Sequence, residues 1–413
     1  MLLTLTALHG WKTKQIDFVQ AFAQAPIEKT LLMKVPAGVE MEDGSDPRDY
    51  VLKLYRNIYG QKQAGRVWNQ YLVRKLIGEL GFRQSSVDEC VFYRGKTLYV
   101  PYTDDSLLAG PDSKEIDNII DELKSKAKLD ITVEGDLADF LGVHIDRRKD
   151  RTIHLSQPHL IEQIIKDLRM DTKNIKTRST PAASSKVLTR HSASDPFDNS
   201  FDYRSVLGKL NYLEKATRSD IPFAVHQCAR FVSDPKVEHG EAVRWLGRYL
   251  AGTRDKGTIM LPIPSKELEV YVDASFCEDW CPDEAACDRD AARSRHGYII
   301  SYAGWSYALR DAIPIMQLMK EMRRHGFPIH TPQARVHCHV FEENSGALEM
   351  ARIHKYRPRT KHLNIRLHHF RDYVERKEMS IHPINTNDQP VDSLTKALNE
   401  ETLARHRFAV LGW

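Results

Sequence analysis

Two adjacent carboxylates, Asp104 and Asp105, lie between apolar segments where the sequence predicts a tight turn. A third acid, Asp17, lies near the end of a segment over residues 12–18 that alternates as a strand does. If this strand lies beside the turn, the three acids meet at one sheet edge and offer the hard oxygen ligands that Mg²⁺ prefers. Two such ions about 4 Å apart assist phosphoryl transfer, because one activates the attacking hydroxyl and the other steadies the leaving group.

An Asp-Asp pair by itself is weak evidence for a metal site. Asp is favoured in turns, because its short side chain hydrogen-bonds the local backbone and tolerates unusual backbone angles. Taken alone, Asp104 and Asp105 therefore indicate a hairpin turn. A metal-binding role depends on the elements and motifs that surround the pair.

The elements that would position these acids follow from hydrophobic periodicity. Besides the strand at 12–18, the first third of the chain predicts a helix at 2–8, a strand at 51–55, a helix at 64–80, a hairpin at 91–100 and a strand at 106–109. A helix therefore leads into the strand of Asp17, and a hairpin leads into the turn of Asp104 and Asp105.

The composition and the predicted elements change at two points in the rest of the chain. A segment rich in Thr, Ser, Pro and Asn, at about 172–201, predicts a linker between a helix at 160–168 and a helical region at 203–250. A new α/β unit then begins, with strands predicted at 268–273, 298–302 and 336–341 and helices near Ser345 and Leu363. These patterns predict a linker at about 172–201 and a separate α/β unit that begins after Gly252.

Composition sets the broad class. A chain of 413 residues that is 41% hydrophobic is long enough for two or three domains with buried cores. No apolar run approaches the length of a membrane span. The net charge of +4 does not by itself indicate a nucleic-acid binder. Cys277, Cys281 and Cys287 lack the paired spacing of a zinc site, so reduced, unligated thiols are predicted.

Three stretches carry distinctive motifs. Residues 102–105 read Tyr-Thr-Asp-Asp, residues 15–22 read Gln-Ile-Asp-Phe-Val-Gln-Ala-Phe, and residues 54–68 read Leu-Tyr-Arg-Asn-Ile-Tyr-Gly-Gln-Lys-Gln-Ala-Gly-Arg-Val-Trp. Together they resemble the reverse transcriptase of copia-class long-terminal-repeat retrotransposons, and the third stretch is highly specific. Further matches in the family's order lie at 140–143, 203–208, 217–221 and 248–253.

The resemblance implies an RNA-directed DNA polymerase in which Asp17, Asp104 and Asp105 bind two Mg²⁺ ions, with Mn²⁺ as a substitute. It implies an α+β and α/β multidomain fold: a palm with truncated fingers (1–130), a thumb and connection (131–260) and a degenerate ribonuclease H-like domain (265–413). The implied partners are an RNA template, a DNA primer, an RNA–DNA hybrid and deoxynucleoside triphosphates, with no membrane. The implied location is the cytoplasm, in virus-like particles.

The resemblance also implies a nucleotide site. Phe22 falls where reverse transcriptases place an aromatic ring under the sugar, so that a 2′ hydroxyl would collide with it, although its spacing alone predicts an ordinary core residue. Gln63, Arg66 and Tyr102 fall where the family contacts the incoming nucleotide and the template. Gly65 replaces the family's Pro, which loosens a rigid turn.

A second set of acids resembles a ribonuclease H site. Residues 269–274 resemble its first strand, with Asp273 as a metal ligand, and residues 359–366 and 389–396 resemble the copia-class terminus, with Asp392 as the last ligand. Glu343 stands where the family has Asp. The segment that carries the fourth ligand, a Glu, is missing after Tyr307, so the site is predicted to be degenerate and inactive. His362 and His368 are interpreted as a solvated basic helix face.

Several departures support a rival interpretation. The family carries a fingers segment before the first helix that this chain lacks, and Pro101 removes a backbone donor beside the catalytic turn. The main alternative is therefore a non-catalytic, truncated retrotransposon relic that at most binds nucleic acid. A basic cluster at 147–151 near the expected thumb is more often solvated surface than a contact. An unrelated two-domain metal hydrolase would leave the Tyr-Gly-x-Lys-Gln motif unexplained.

Overall fold

The computed structural model describes residues 1–413 except 42–43, 171–173, 184–187, 191–193, 262, 275–295, 304, 308–311, 330–335, 346–347 and 350–371. The chain divides into two compact units. The first comprises residues 1–137 together with 321–327, and the second comprises residues 138–320 together with 328–413.

The first unit is built around one antiparallel sheet. Its elements are α1 (Leu2–His9), β1 (Lys12–Phe18), α2 (Ala21–Gln24), β2 (Pro26–Lys34), β3 (Val51–Arg56), α3 (Ala64–Arg74), β4 (Arg83–Gln84), β5 (Phe92–Arg94), β6 (Thr97–Tyr102), β7 (Asp105–Gly110), α4 (Ser113–Ser125) and β8 (Ile131–Gly135). Six strands pair in the order β4-β5-β6-β7-β1-β8, while β2 and β3 form a separate ribbon. Because β8 pairs with β1, the first sheet continues to Gly135, beyond residue 130, where the resemblance places the end of the palm.

Two amphipathic helices cover this sheet. Helix α4 buries four apolar residues at helical spacing (Ile116, Ile119, Ile120 and Leu123), and its N-terminus is capped by the Asp112 side chain. Helix α3 buries Val67, Trp68 and Leu72, and the Trp68 ring meets the edge of Phe18 at 4.9 Å. The single helix predicted over 64–80 is α-helical only to Arg74 and continues as a π-helical turn, Lys75–Glu79.

The second unit holds two sheets and a helical layer. Its elements are β9 (Asp139–Phe140), β10 (Val143–Arg147), β11 (Ile153–Ser156), α5 (Pro158–Asp167), α6 (Tyr203–Ala216), α7 (Pro222–Ala229), α8 (Val237–Gly252), β12 (Thr258–Met260), β13 (Leu268–Ala274), β14 (His296–Tyr302), β15 (Trp305–Tyr307), α9 (Ala312–Arg324, whose last residues belong to the first unit), β16 (Cys338–Glu342), β17 (Met379–Pro383), α10 (Asp392–Thr395) and α11 (Glu400–Leu411). Helices α5 to α8 share one apolar core.

The five-stranded sheet of this unit pairs in the order β15-β14-β13-β16-β17. Strands β13, β14 and β15 are antiparallel neighbours, whereas β16 runs parallel to both β13 and β17. The carboxyl ends of β13 and β16 therefore meet at the same sheet edge. All three strands predicted in this region are present, while the helix predicted near Leu363 lies outside the described residues.

A buried ion pair in the second unit links the turn between α6 and α7 to the residue that follows α8. The Arg218 guanidinium, 0% exposed, donates to both carboxylate oxygens of Asp220 at 2.9 and 2.8 Å and to the Thr253 carbonyl at 3.0 Å. The Tyr249 hydroxyl donates to the same carboxylate. Burial is the largest influence and raises the pKa of Asp220, but the charge of Arg218 and the hydrogen bonds from Arg218 and Tyr249 together leave this pKa below its ordinary value. The family-like motif at 217–221 thus has a structural role.

Among the residues that the structure describes, Cys90, Cys228 and Cys338 are free thiols. Cys277, Cys281 and Cys287 lie outside the described residues. No helix in the described part of the chain is long and apolar enough to cross a membrane.

Candidate active sites

The first group of predicted acids lies on neighbouring strands. Asp17 of β1 is the cross-strand partner of Asp105 at the start of β7. Asp104 occupies the turn between β6 and β7, and its carbonyl accepts a 2.8 Å hydrogen bond from the Phe18 amide. Thr103 in this turn is left-handed, with a φ of 54°. The backbone of both strands therefore holds the three acids at one end of the β1–β7 pair.

The sequence departures around this turn are accommodated locally. Pro101 of β6 faces Ser106 of β7 in the strand register. Ser106 is buried, and its hydroxyl lies 3.0 Å from the hydroxyl of Tyr99. The buried hydroxyl of Ser106 therefore has a hydrogen-bond partner. The Trp68 indole N–H donates to the Thr103 carbonyl at 2.9 Å and secures the turn from helix α3.

The carboxylates are electrostatically coupled. Burial raises the pKa of Asp17, and the negative charges of Asp105 and Asp104 raise it further. The pKa of Asp105 is raised by burial and by Asp104, and a hydrogen bond from Gln15 opposes that shift. Repulsion between neighbouring negative charges is relieved by a bound cation, which makes this end of the sheet a suitable cation site.

Asp104 offers the clearest candidate for a metal-ligand atom. Its Oδ2 accepts a 2.9 Å hydrogen bond from the Tyr59 hydroxyl, whereas its Oδ1 is buried and has no hydrogen-bond partner. A buried carboxylate oxygen without a partner is costly, and a metal ion would satisfy it. Burial and the hydrogen bond to Asp104 raise the pKa of Tyr59 to about 12. Tyr59 therefore stays a neutral donor at neutral pH.

The predicted nucleotide-contacting residues are placed unequally. Phe22, in α2, is half-buried, and its ring lies 4.5 Å from the Tyr59 ring. Tyr102 is exposed at the end of β6. Arg66, in α3, is exposed and donates to Glu28 at 2.8 Å, while Gln63 precedes the first residue of the same helix. The Phe22 ring thus packs against Tyr59, whose hydroxyl donates a hydrogen bond to Asp104.

Tyr59 is a site residue that the sequence analysis did not assign. It lies in the long motif at 54–68, so the signal was present in the Tyr-Gly-x-Lys-Gln pattern. What the pattern did not indicate is that its hydroxyl reaches Asp104, 45 residues further along the chain.

The second group of predicted acids meets at the shared edge of β13 and β16. One carboxylate oxygen each of Asp273, Glu343 and Asp392 lies within 4.8 Å of the others, and no other three His, Cys, Asp or Glu side chains in the described residues meet that spacing. The carboxylate oxygens of Asp17, Asp104 and Asp105 therefore do not all lie within 4.8 Å of one another. Asp273 is buried and accepts a 2.6 Å hydrogen bond from the Thr395 hydroxyl.

A lysine already neutralises part of this second group. The Lys396 ammonium lies 3.1 Å from an Asp392 oxygen and 3.6 Å from a Glu343 oxygen. Burial raises the pKa of Asp392 to about 6, although the hydrogen bond from Lys396 opposes that shift. The other Glu343 oxygen is buried without a partner. The three acids could bind a cation only if the Lys396 ammonium moved away from the Asp392 and Glu343 oxygens. The sequence analysis did not assign Lys396 to the site.

Some predicted features of the second site fall outside the described residues. Residues 308–311, which follow the join where the segment with the fourth acid is missing, lie outside the described residues, as do His362 and His368. The predicted loss of that acid stays a prediction.

Within the basic cluster at 147–151, the Arg148 guanidinium lies 3.5 Å from an Asp146 oxygen. This ion pair is exposed to solvent and so contributes little to stability.

Comparison with known proteins agrees with the motifs. Residues 1–183 match the family described as reverse transcriptase (RNA-dependent DNA polymerase). The chain is 28% identical to the retrovirus-related Pol polyprotein from transposon TNT 1-94 of Nicotiana tabacum over 96% of its own length and 30% of that protein. It is 29% identical to the Pol polyprotein from transposon RE1 of Arabidopsis thaliana over 95% of its length and 27% of that protein.

A shorter relative is matched almost in full. The putative transposon Ty5-1 protein of Saccharomyces cerevisiae is 28% identical, over 73% of this chain and 94% of that protein. Among solved structures, a foamy viral protease-reverse transcriptase in complex with double-stranded DNA aligns with a TM-score of 0.43 and 12% identity, over 91% of this chain and 57% of that chain. The chain spans less than a third of the plant Pol polyproteins, and the predicted resemblance to copia-class Pol proteins is confirmed.

Proposed function

Because its first 183 residues match the reverse transcriptase family and copia-type Pol polyproteins are its relatives over most of its length, we propose that this chain is an RNA-directed DNA polymerase. Its substrates are deoxynucleoside triphosphates and a DNA primer paired to an RNA template. The observation that carries the proposal is the meeting of Asp17, Asp104 and Asp105 at one end of β1 and β7, with a buried oxygen of Asp104 left without a partner.

The three acids are the residues that would hold the divalent cations, Mg²⁺ or Mn²⁺. When bound, such ions activate the primer hydroxyl and neutralise charge on the leaving pyrophosphate. The chain contributes the fixed placement of the carboxylates, since cross-strand pairing sets Asp17 opposite Asp105. Asp104 would bind a cation through Oδ1, which has no hydrogen-bond partner, while the Tyr59 hydroxyl holds Oδ2.

The proposal is tested by extension of a labelled DNA primer annealed to an RNA template. With Mg²⁺ and the four deoxynucleoside triphosphates, the primer should lengthen, and a chelator added beforehand should prevent this. Lengthening that persists in the chelator would mean that these acids do not act through a metal.

Phe22 is proposed to select deoxyribonucleotides. Replacement with Val should raise ribonucleotide incorporation relative to deoxyribonucleotide incorporation by about tenfold or more, since removing a steric clash worth about 1.4 kcal/mol changes a rate ratio tenfold. The measurement is single-nucleotide addition with each substrate in separate reactions. Tyr55→Val, at an exposed aromatic on β3, is the control and should leave the ratio unchanged. An unchanged ratio in Phe22→Val would make Phe22 a core residue only.

The second acid group is proposed to be a ribonuclease H site of little or no activity. Glu343 adds a methylene where the family has Asp, and a displacement near 1 Å in a reacting site costs on the order of a hundredfold in rate. The Lys396 ammonium also competes for the same oxygens.

We therefore expect little or no cleavage of a labelled RNA–DNA hybrid with Mn²⁺, in wild-type protein and in Asp273→Asn alike. Robust cleavage by the wild type that disappears in Asp273→Asn would show that another group supplies the fourth ligand.

A further inference from the structure

A cleft of about 710 Å³ lies in the second unit where three distant segments meet. Its walls come from residues 177–179, from the end of α8 with the residues just beyond it, and from α11 with Trp413. A Cβ atom added to Gly252 would lie only 3.0 Å from Cβ of Thr177. The missing side chain of Gly252 therefore lets residues 177–179 pack against the end of α8. A volume of this size is within the range of ligand-binding sites.

The lining of the cleft is predominantly basic. It carries three cationic side chains, Arg178, Lys256 and Arg407, against one carboxylate, Glu400. Asp255 lies 3.8 Å from the Lys256 ammonium, but its side chain is 75% exposed, so solvent screens this pair strongly. A local excess of positive charge attracts polyanions even though the whole chain carries only +4.

Arg178 offers hydrogen-bond donors that the protein does not use. Its guanidinium lies over the Trp245 ring, 3.9 Å from the ring centre, and the Trp245 indole N–H donates to the Thr180 carbonyl at 2.9 Å. Among the residues that the structure describes, Arg178 forms no ion pair, and its Nε is buried without a hydrogen-bond partner. A guanidinium held by stacking keeps its edge donors available, and their planar fork matches the oxygens of a phosphate group.

Arg407 and Lys256 lie beside one aromatic ring. Arg407 donates from Nη1 to the Tyr249 hydroxyl at 3.2 Å and from Nε to the Trp413 backbone oxygen at 3.3 Å. Its guanidinium lies 4.1 Å from the centre of the Trp413 ring, and the Lys256 ammonium lies 5.7 Å from the same centre. Two cations that are held near one ring repel each other, and an anion bound between them relieves that repulsion.

We propose that this cleft binds the phosphodiester backbone of a nucleic-acid strand. Several cations along one open cleft suit a chain of phosphates, and the fork of Arg178 suits a single phosphate group. The family-like motif at 248–253, which belongs to neither acid group, contributes to one wall. None of the described residues that line the cleft belongs to an acid group, so this contact adds affinity without touching the reacting atoms. The inference rests on the proposed function in taking nucleic acid as the partner.

The test is the salt dependence of binding, measured by fluorescence anisotropy with the full chain and a labelled RNA–DNA hybrid. A chelator keeps both acid groups free of metal. On logarithmic axes the association constant falls linearly with salt concentration, and each phosphate contact contributes about 0.9 to the slope. Arg178→Gln and Lys256→Gln should each lower the slope by about 1, and the double variant by about 2. Arg178→Lys should keep the slope but bind more weakly, because the charge remains while the fork is lost.

Lys215→Gln is the matched control, because Lys215 is an exposed lysine on α6 of the same unit. It should keep the wild-type slope, and circular dichroism should show that each variant is folded. The proposal is overturned if the wild type does not bind the hybrid, if the double variant keeps the wild-type slope, or if Lys215→Gln lowers the slope equally. Loss of binding to a free deoxynucleoside triphosphate, with hybrid binding unchanged, would make the ligand a nucleotide and overturn it as well.

Primer extension by the same preparations separates this inference from the proposed function. A chain that extends no primer but loses slope in the double variant would fail the proposed function and support the cleft. Extension by a chain whose slope is the same in the wild type and the double variant would support the proposed function and overturn the cleft.

Discussion

Asp104→Asn is expected to abolish templated primer extension. The substitution keeps the size of the side chain and an oxygen that can accept the hydrogen bond of Tyr59, but it removes the charge that two cations require. Metal ions contribute several kcal/mol of charge stabilisation in the transition state. Losing about 4 kcal/mol of that stabilisation lowers the rate about a thousandfold. The measurement is single-turnover extension on an RNA template at saturating Mg²⁺.

Asp121→Asn is the matched control, since Asp121 is an exposed acid on helix α4 of the same unit. It should extend the primer as the wild type does. Full activity in Asp104→Asn would remove Asp104 from the catalytic group. Equal losses in both variants would point instead to a general effect of lowered negative charge.

Arg218→Ala is expected to destabilise the second unit by about 3 to 5 kcal/mol, since removing one partner of a buried ion pair leaves the other charge unpaired. The stranded group would be Asp220, which is buried and would keep only the hydrogen bond from the neutral Tyr249 hydroxyl among the side-chain bonds described above. The Thr253 carbonyl would also lose a donor. Urea unfolding followed by circular dichroism would measure the change in the free energy of unfolding.

Arg204→Ala, at an exposed arginine on helix α6, should change the unfolding free energy by less than about 0.5 kcal/mol. Replacing Arg218 and Asp220 together with Met and Leu should recover much of the loss, because both buried charges disappear. If Arg218→Ala behaved like the Arg204 control, the ion pair would contribute nothing to the stability of this unit.

Local patterns in the sequence were enough to find the strands that carry Asp17, Asp105 and Asp273, although they missed the short strands β8 to β12. The alternation at 12–18 and the turn at Asp104 and Asp105 each depend on a few neighbouring residues. The end of the first domain was harder to find, because β8 belongs to the first sheet only through pairing with β1, more than a hundred residues earlier. No local signal in residues 131–135 specifies that pairing.

Side-chain partners from distant segments were the part that sequence reasoning missed. The contact between Tyr59 and Asp104 needs the placement of α3 against the β6–β7 turn. The hydrogen bonds that join His339 of β16 to Glu267, just before β13, and to His382 of β17 likewise link distant segments. Spacing along the chain cannot indicate that these side chains converge, because parallel strands are joined by long connections.

The most direct test of the central claim is single-nucleotide addition by the wild-type chain, measured together with binding of the same RNA–DNA primer-template. Four reactions, each with one deoxynucleoside triphosphate and Mg²⁺, should lengthen the primer only with the nucleotide that pairs with the template. Binding of the hybrid without addition of any nucleotide, with either Mg²⁺ or Mn²⁺, would contradict the account and make the chain a nucleic-acid-binding relic of a retrotransposon.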